Sequence, residues 1–232
     1  RRMEEAGVHV VYGLVGLKTH CKIALIVRRE SSGIKRYIHL GTGNYNPHTA
    51  KAYTDVSLFT ARDDIGEDST ALFNVLTGYA SNPRWKRFAV APFDLRDKII
   101  ALIDRESDFA RRGERAEILA KMNALVCPQI IRSLYRASQC GVRIHLIVRG
   151  ICCLRPGIEG VSHNIRVTSV VDRFLEHSRV FAFGSGDRRE VFLASADWMP
   201  RNFSRRVEIM VPVDDAVARA RLLTEVLGAS AN

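Results

Sequence analysis

The sequence predicts an α/β fold made of two copies of one strand-rich unit, the first copy lacking its front. Three observations carry this. Short β-branched runs such as KIALIVRR, RIHLIVRG and VEIMVPV alternate with long helical patterns such as DLRDKIIALIDRESDFARRG and CPQIIRSLYRASQCG. Two blocks pass through the same events in the same order. Between them lies SNPRWKRFAVAPFD, whose two prolines and charged centre mark a boundary, giving units over 1–87 and 88–232.

The chain opens on RRMEEAGVHVVYG, which reads as a helix end, a cap at Gly7 and a strand from Val8 to Tyr12. A start inside an element implies a fragment of a longer protein. GLKTHCKIALIV follows, placing His20 and Lys22 at the mouth of a strand that reads as fully buried. In extended backbone, residues two apart share a face, so His20 and Lys22 point one way and Cys21 the other. A polar turn at ESSG leads into KRYIHLG and the loop LGTGNYNP, Leu40 to Pro47. Its small residues and asparagines suit a phosphate cradle, and equally a plain turn. His39 and His48 flank this loop without counterparts in the second block and read as structural or exposed. In AYTDVSLFT, Tyr53 offers a stacking or hydroxyl contact and Asp55 a carboxylate, although core and capping roles are commoner for that pattern.

The second block repeats the order: a helix end, CGVRIHLIVRG, then EHSRV, a strand, a polar turn at SGDRR, and EVFLASADWMPRN. His20 to Asn44 spans 24 residues and His177 to Asn202 spans 25, counted from their numbers. A duplicated unit with one histidine per copy places two imidazoles opposite each other across a pseudo-twofold axis. The repeat thus nominates His20, Lys22, Asn44, His177, Arg179 and Asn202. Imidazole is a nucleophile or proton carrier near neutral pH, and lysine, arginine and asparagine bind phosphate oxygens. A lone histidine reads as a core residue bonded to a carbonyl; its repeated setting turns that reading. Arg149 ends a strand where open α/β sheets place ligand contacts, and a buried ion pair is as good a reading of it.

Composition narrows the partners. The 232 residues are 47% hydrophobic, enough for real cores, and a formal net charge of +10 calls for a polyanion without choosing one. The five cysteines are odd in number, and adjacent Cys152 and Cys153 lack zinc or redox spacing, so reduced thiols in a cytoplasmic protein are expected. No apolar run approaches the ~20 residues of a membrane span, and no secretory signal opens the chain.

With HxK, GTGNYNP, AYTD, LIVRGICCLRPG, FLEHSR and SADWMPRN in order, the chain resembles the bacterial polyphosphate kinases of the first type over nearly all of residues 1 to 225. The resemblance is to their carboxy-terminal catalytic half, two domains of phospholipase-D-like fold. It implies reversible transfer of the ATP γ-phosphate to a polyphosphate chain through a phosphohistidine. It makes His20 the phosphorylated residue and His177 the second histidine, with Tyr53, Arg149 and His177 contacting the nucleotide. Lys22, Asn44, Arg179 and Asn202 would hold phosphate oxygens. The resemblance implies Mg²⁺ as cofactor, ATP, ADP and inorganic polyphosphate as partners, no specific nucleic acid, and a homo-oligomer at full length, leaving peripheral membrane association open. The family's metal-associated arginines would precede Arg1. Two departures from the wider phospholipase D pattern, no aspartate at the expected distance after Lys22 and Arg179 in place of lysine, argue against a phosphodiesterase or nuclease. That activity and a non-catalytic polyanion-binding remnant are the rival readings.

Overall fold

The computed structural model describes residues 1–80 and 83–228; Ser81 and Asn82 of the expected boundary, and the last four residues, lie outside it. The first helical turn, α1 (Arg2–Glu5), ends as its sequence implies. The Gly7 N–H donates to the Glu4 carbonyl at 2.9 Å, and Gly7 takes φ +81°, which costs a residue without Cβ little. Val8 to Tyr12, expected as a strand, form none. Their apolar side chains are exposed, and among the described residues they find no strand edge to pair with.

Strands β1 (Lys18–Thr19), β2 (Lys22–Glu30) and β3 (Gly33–Gly41) follow, β2 and β3 pairing antiparallel from Lys22 opposite Gly41 to Glu30 opposite Gly33 around the ESSG turn. After α2 (Pro47–Ala50) and β4 (Tyr53–Thr54), β5 (Ser57–Thr60) completes a three-stranded sheet in the order β2-β3-β5. The expectation that β2 is buried throughout fails: Lys22 at its mouth is buried, whereas Ile26 and Val27 are 59% and 55% exposed. As an edge strand, β2 packs Ile23 and Leu25 against the core and carries its distal half past it. Helix α3 (Asp63–Leu76) covers the sheet through Ile65 and Leu72.

The remaining elements are β6 (Ala89–Ala91), α4 (Leu95–Arg111), β7 (Glu117–Met122), α5 (Pro128–Gln139), β8 (Arg143–Val148), β9 (Ile165–Thr168), β10 (Leu175–Glu176), β11 (Val180–Phe183), β12 (Glu190–Ala194), α6 (Pro200–Ser204), β13 (Arg206–Pro212), α7 (Ala216–Arg221) and a wide-turned helix over Leu222–Gly228. With β1 they build an eight-stranded mixed sheet, β1-β13-β12-β11-β7-β8-β9, with β6 also on β13. The expected strands of the second block are therefore present, and β7 to β9 run parallel, joined between β7 and β8 by α5.

The two copies interlock. β13 takes β1, from the first copy, at Arg206 and Val207. A two-stranded sheet joins β4 of the first copy to β10 of the second, Tyr53 opposite Leu175 and Thr54 opposite Glu176. Because side chains alternate along a strand, Val207, Ile209 and Val211 of β13 join the cluster of Ile38, Leu40, Ile65 and Leu72, while Met210 joins the α4–α5 cluster on the opposite face. One sheet thus serves two cores. No helix among the described residues is long and apolar enough to cross a membrane.

Candidate active site at the strand ends

Since β7 and β8 are parallel and β11, β12 and β13 alternate in direction from β7, one end of the large sheet collects the carboxyl ends of β7, β8 and β12 and the amino ends of β11 and β13. Asn123, Arg149, Arg179, Ser195, Asp197 and Glu208 all fall there. In open α/β sheets this end carries the ligand contacts. β1 delivers His20 to the same place, with both the His20 and Cys21 N–H groups donating to the Val207 carbonyl at 3.0 Å.

His20 presents Nδ1 to the Glu208 carboxylate, 2.8 Å from Oε1 and 2.9 Å from Oε2. An ionised carboxylate only accepts, so Nδ1 carries the proton and Nε2 keeps its lone pair. Among the described residues no group takes that Nε2. Glu208 is 0% exposed, and a bare buried carboxylate would be costly. Ser195 Oγ donates to its Oε2 at 2.5 Å and Asn202 Nδ2 to its Oε1 at 2.6 Å, which satisfies it.

His177 has the mirrored arrangement. Its Nδ1 donates to Asp55 Oδ1 at 2.7 Å, and Thr42 Oγ1 donates to the same oxygen at 2.6 Å. Each histidine therefore takes its carboxylate from the other copy. The hydroxyls match in detail: Val56 N–H donates to Thr42 Oγ1 and Ile209 N–H to Ser195 Oγ, both at 3.0 Å, while Thr42 and Ser195 N–H groups donate to the Val56 and Ile209 carbonyls. Hydroxyl and carboxylate stand 13 residues apart in both copies, 42 to 55 and 195 to 208.

This geometry realigns the repeat. Thr42 corresponds to Ser195, so Asn44 corresponds to Asp197 and not to Asn202. Asn44 is exposed with no side-chain hydrogen bond among the described residues, whereas Asn202 is fully buried and spends its amide on Glu208. The glycine loop likewise serves a nearer purpose than cradling an anion. A Cβ on Gly43 would stand 2.6 Å from Asp55 Oδ2, so glycine here lets the loop close onto that carboxylate. Asn46 caps α2 by accepting from the His48 and Thr49 N–H groups.

Lys22 and Arg179, aligned in the repeat, behave differently. Lys22 Nζ donates to the His20 carbonyl at 2.5 Å and leaves the imidazole alone. Arg179 Nη1 donates to His177 Nε2 at 3.1 Å and to the His177 carbonyl at 2.6 Å, while Nε and Nη2 reach Asp197 at 3.3 and 3.1 Å. The Lys22 pKa is lowered to about 8, chiefly by burial and partly by Arg179 and Arg206, with Glu208 opposing them. Lys22 pairs across the strands with Gly41, next to the Thr42 that holds Asp55, so the two histidine clusters adjoin. Burial also lowers His20, against the pull of Glu208. Burial drives the Cys21 thiol up to about 12, away from nucleophilic use. Asp55 and Asp197 are raised by burial but end below the usual carboxylate range, because His177 and Thr42 hold the first and Arg179 and Asn123 the second.

Tyr53 lies with its ring centroid 4.8 Å from that of His177, at 51°. Arg149 is half-buried and is no ion pair: its Nε donates to Asn123 Oδ1 at 2.9 Å, and among the described residues its Nη atoms have no partner. His39 donates or accepts at Tyr45 Oη, 2.7 Å away, and His48 is exposed, as expected of both. Sequence reasoning missed Glu208, Ser195, Thr42, Asp197 and Asn123 as members of the site. For Thr42, Ser195 and Glu208 the 13-residue hydroxyl-to-carboxylate spacing was the available signal.

Two family models match the chain, polyphosphate kinase C-terminal domain 1 over residues 1–82 and polyphosphate kinase C-terminal domain 2 over residues 88–230. The chain is 58% identical over 214 residues to a polyphosphate kinase of Synechocystis, covering 92% of this chain and 29% of that protein. It is 52% identical over 223 residues to that of Halalkalibacterium halodurans, covering 96% and 32%. The crystal structure of polyphosphate kinase from Porphyromonas gingivalis superposes with a TM-score of 0.91 at 44% identity, over 98% of this chain and 35% of that one. A phosphatidylserine synthase of Haemophilus influenzae shares the fold alone, with a TM-score of 0.56 at 11% identity over 84% of this chain and 60% of its own. The mixed α/β class is thus the one the sequence predicted, and the fold is that of the solved polyphosphate kinase. The chain spans about a third of the length of the relatives it matches. With both family models matched end to end along it, the chain belongs to the polyphosphate kinase family.

Proposed function

We propose that this chain carries the phosphoryl-transfer centre of an ATP:polyphosphate phosphotransferase, with His20 as the nucleophile. The observation behind this is the difference between the two imidazoles. His20 has Nδ1 held by Glu208 and Nε2 unoccupied, while the Nε2 of His177 already accepts from Arg179. Of these two, His20 is the one that offers a lone pair to an incoming phosphorus.

In the forward direction His20 Nε2 attacks the γ-phosphorus of ATP, the bond from that phosphorus to the bridging oxygen breaks, and ADP leaves with the electron pair. Glu208 supports the positive charge that grows on the ring. The terminal oxygen of a polyphosphate chain then attacks the phosphohistidine, and breaking the P–N bond returns the lone pair to Nε2. A loose transition state spreads charge over equatorial oxygens, so the stabilising groups are cations. Lys22 and the free Nη atoms of Arg149 fill that role, with Arg149 and Tyr53 on the nucleotide. His177, once its Nε2 is released by Arg179, exchanges a proton or a hydrogen bond with the bridging oxygen. Asn202 acts through Glu208, not on phosphate.

No group of three or more histidine, cysteine, aspartate or glutamate side chains among the described residues is placed to hold a metal ion. Mg²⁺ belongs with the nucleotide in this reading. The two repeats, 1–87 and 88–232, act as one catalytic unit. Cytoplasmic location, a homo-oligomer at full length, and lack of a specific nucleic-acid partner complete the reading.

The test is acid-labile, base-stable labelling of the full-length gene product by γ-labelled ATP with Mg²⁺. His20→Ala should abolish it and His177→Ala should leave the protein folded but without net polymer synthesis. Undiminished labelling of His20→Ala, or DNA cleavage in place of labelling, would refute the proposal.

A further inference from the structure

Asn123 follows β7 and Arg149 follows β8, and the two parallel strands are in register up to Met122 opposite Val148, so the two residues leave the sheet side by side. The strand ends are drawn together there. The Gly150 N–H donates to the Asn123 carbonyl at 2.8 Å, and a Cβ on Gly150 would stand 3.0 Å from that oxygen.

Every polar group of Asn123 is engaged. Its N–H and its Nδ2 both donate to Asp197 Oδ1, at 2.7 and 3.1 Å, while its Oδ1 accepts from Arg149 Nε at 2.9 Å. Asp197 in turn holds Nε and Nη2 of Arg179, whose Nη1 reaches His177 Nε2. An unbroken polar chain therefore runs Arg149, Asn123, Asp197, Arg179, His177. At its second position a side chain must accept from a guanidinium on one side and donate to a carboxylate on the other. An amide does both from one short planar group, with its acceptor and its donor on opposite sides. Aspartate keeps the acceptor but sets a second negative charge against Asp197; serine is too short to bridge. Asn123 is 7% exposed and lies behind Arg149, so it aims that residue without facing a ligand.

We propose that Asn123 is a positioning residue that points the free Nη atoms of Arg149 at the nucleotide phosphates and couples that arginine to the group holding His177. By fixing Nε, it leaves the fork of the guanidinium one orientation, in which both Nη donors meet one phosphate. The same side chain steadies Asp197 and so the Arg179 contact on His177. The inference rests on the reading of Arg149 as a nucleotide contact.

The experiment is a double-mutant cycle on ADP affinity, by calorimetry on the full-length gene product, with Asn123→Asp, Arg149→Ala and the double variant. Arg149→Ala should weaken ADP at least tenfold. Asn123→Asp should weaken it about tenfold in the wild-type background, because repulsion from Asp197 swings the new carboxylate off Arg149 Nε and forfeits one hydrogen bond to a charged group, and less than about twofold once Arg149 is gone. The KM for ATP should rise with the Kd, whereas mere loosening of the strand end would lower kcat at constant KM. Asn123→Ser carries the same expectations and decides the matter should Asn123→Asp not fold. Wild-type ADP affinity in the Asn123 variants, or an undiminished loss in the Arg149→Ala background, overturns the role of Asn123. Wild-type affinity in Arg149→Ala instead overturns the nucleotide reading beneath it.

Discussion

Replacing Lys22 with methionine should make the protein's stability depend on pH in a way that reports the burial of this one ammonium. Lys22 is 5% exposed, and its pKa falls from the ordinary 10.5 to about 8. At about 1.4 kcal/mol for each tenfold, that fall corresponds to roughly 3 kcal/mol by which the folded state disfavours the charged lysine. The sign follows from proton counting. Below pH 8 both states hold the proton and the whole penalty is present; between about 8 and 10.5 the folded state has released it while the unfolded chain has not. Unfolding free energy of the wild type therefore gains roughly 3 kcal/mol across that window relative to Lys22→Met, which has nothing to titrate there. Methionine also leaves the His20 carbonyl without its donor, a cost of about 1–3 kcal/mol that is constant with pH and shifts the two curves without changing their difference in slope. The assay is urea unfolding of both proteins at intervals from pH 7 to 10.5, followed by tryptophan fluorescence. Parallel curves would mean that Lys22 titrates normally, and would refute the desolvated cation next to His20.

Two further substitutions probe the crossed pairing. Glu208→Gln removes the carboxylate that opposes burial at His20, so the His20 pKa should move further below 6.5, read by NMR titration of the ring; a rise would contradict the pairing. The same variant should be destabilised by about 1–3 kcal/mol, since its amide cannot accept at both oxygens from Ser195 and Asn202. Gly43→Ala puts a methyl 2.6 Å from Asp55 Oδ2 and 2.9 Å from its Cβ, so the loop must shift and destabilise by about 1–3 kcal/mol. A crystal structure of that variant should show Asp55 drawn away from His177; an unmoved carboxylate would contradict the role given to this glycine.

Local signals made most of the large sheet legible. β7, β8, β11, β12 and β13 are short, largely apolar runs carrying β-branched or aromatic residues between turn residues, and packing in the interior agreed with that pattern. Val8 to Tyr12 has the same composition and stays unpaired, because a strand also needs an edge to pair with, which composition does not reveal. The apolar run of β2 was likewise silent about its place at a sheet edge. Both histidines and both cations were found through the repeat, which works on residues adjacent in sequence. Their carboxylates escaped: Glu208 lies 188 positions from His20, and Asp55 lies 122 from His177. Such pairings arise from docking one copy onto the other, which no local pattern encodes. Matching Asn44 to Asn202 by residue type hid the better alignment, in which Thr42 and Ser195 each reach a carboxylate 13 positions on. Asn123 has no counterpart in the first copy within this chain, so the repeat had no means of marking it.

The most direct test is which ring nitrogen carries the phosphate. Glu208 binds Nδ1 of His20 and nothing among the described residues binds Nε2. The full-length gene product, incubated with ATP and Mg²⁺ and examined by ¹⁵N-labelled histidine NMR with mass spectrometry of the His20 peptide, should carry phosphate on Nε2 of His20. Phosphate on Nδ1, or on His177 in place of His20, would contradict the pairing of Glu208 with His20 and the assignment of the nucleophile that follows from it.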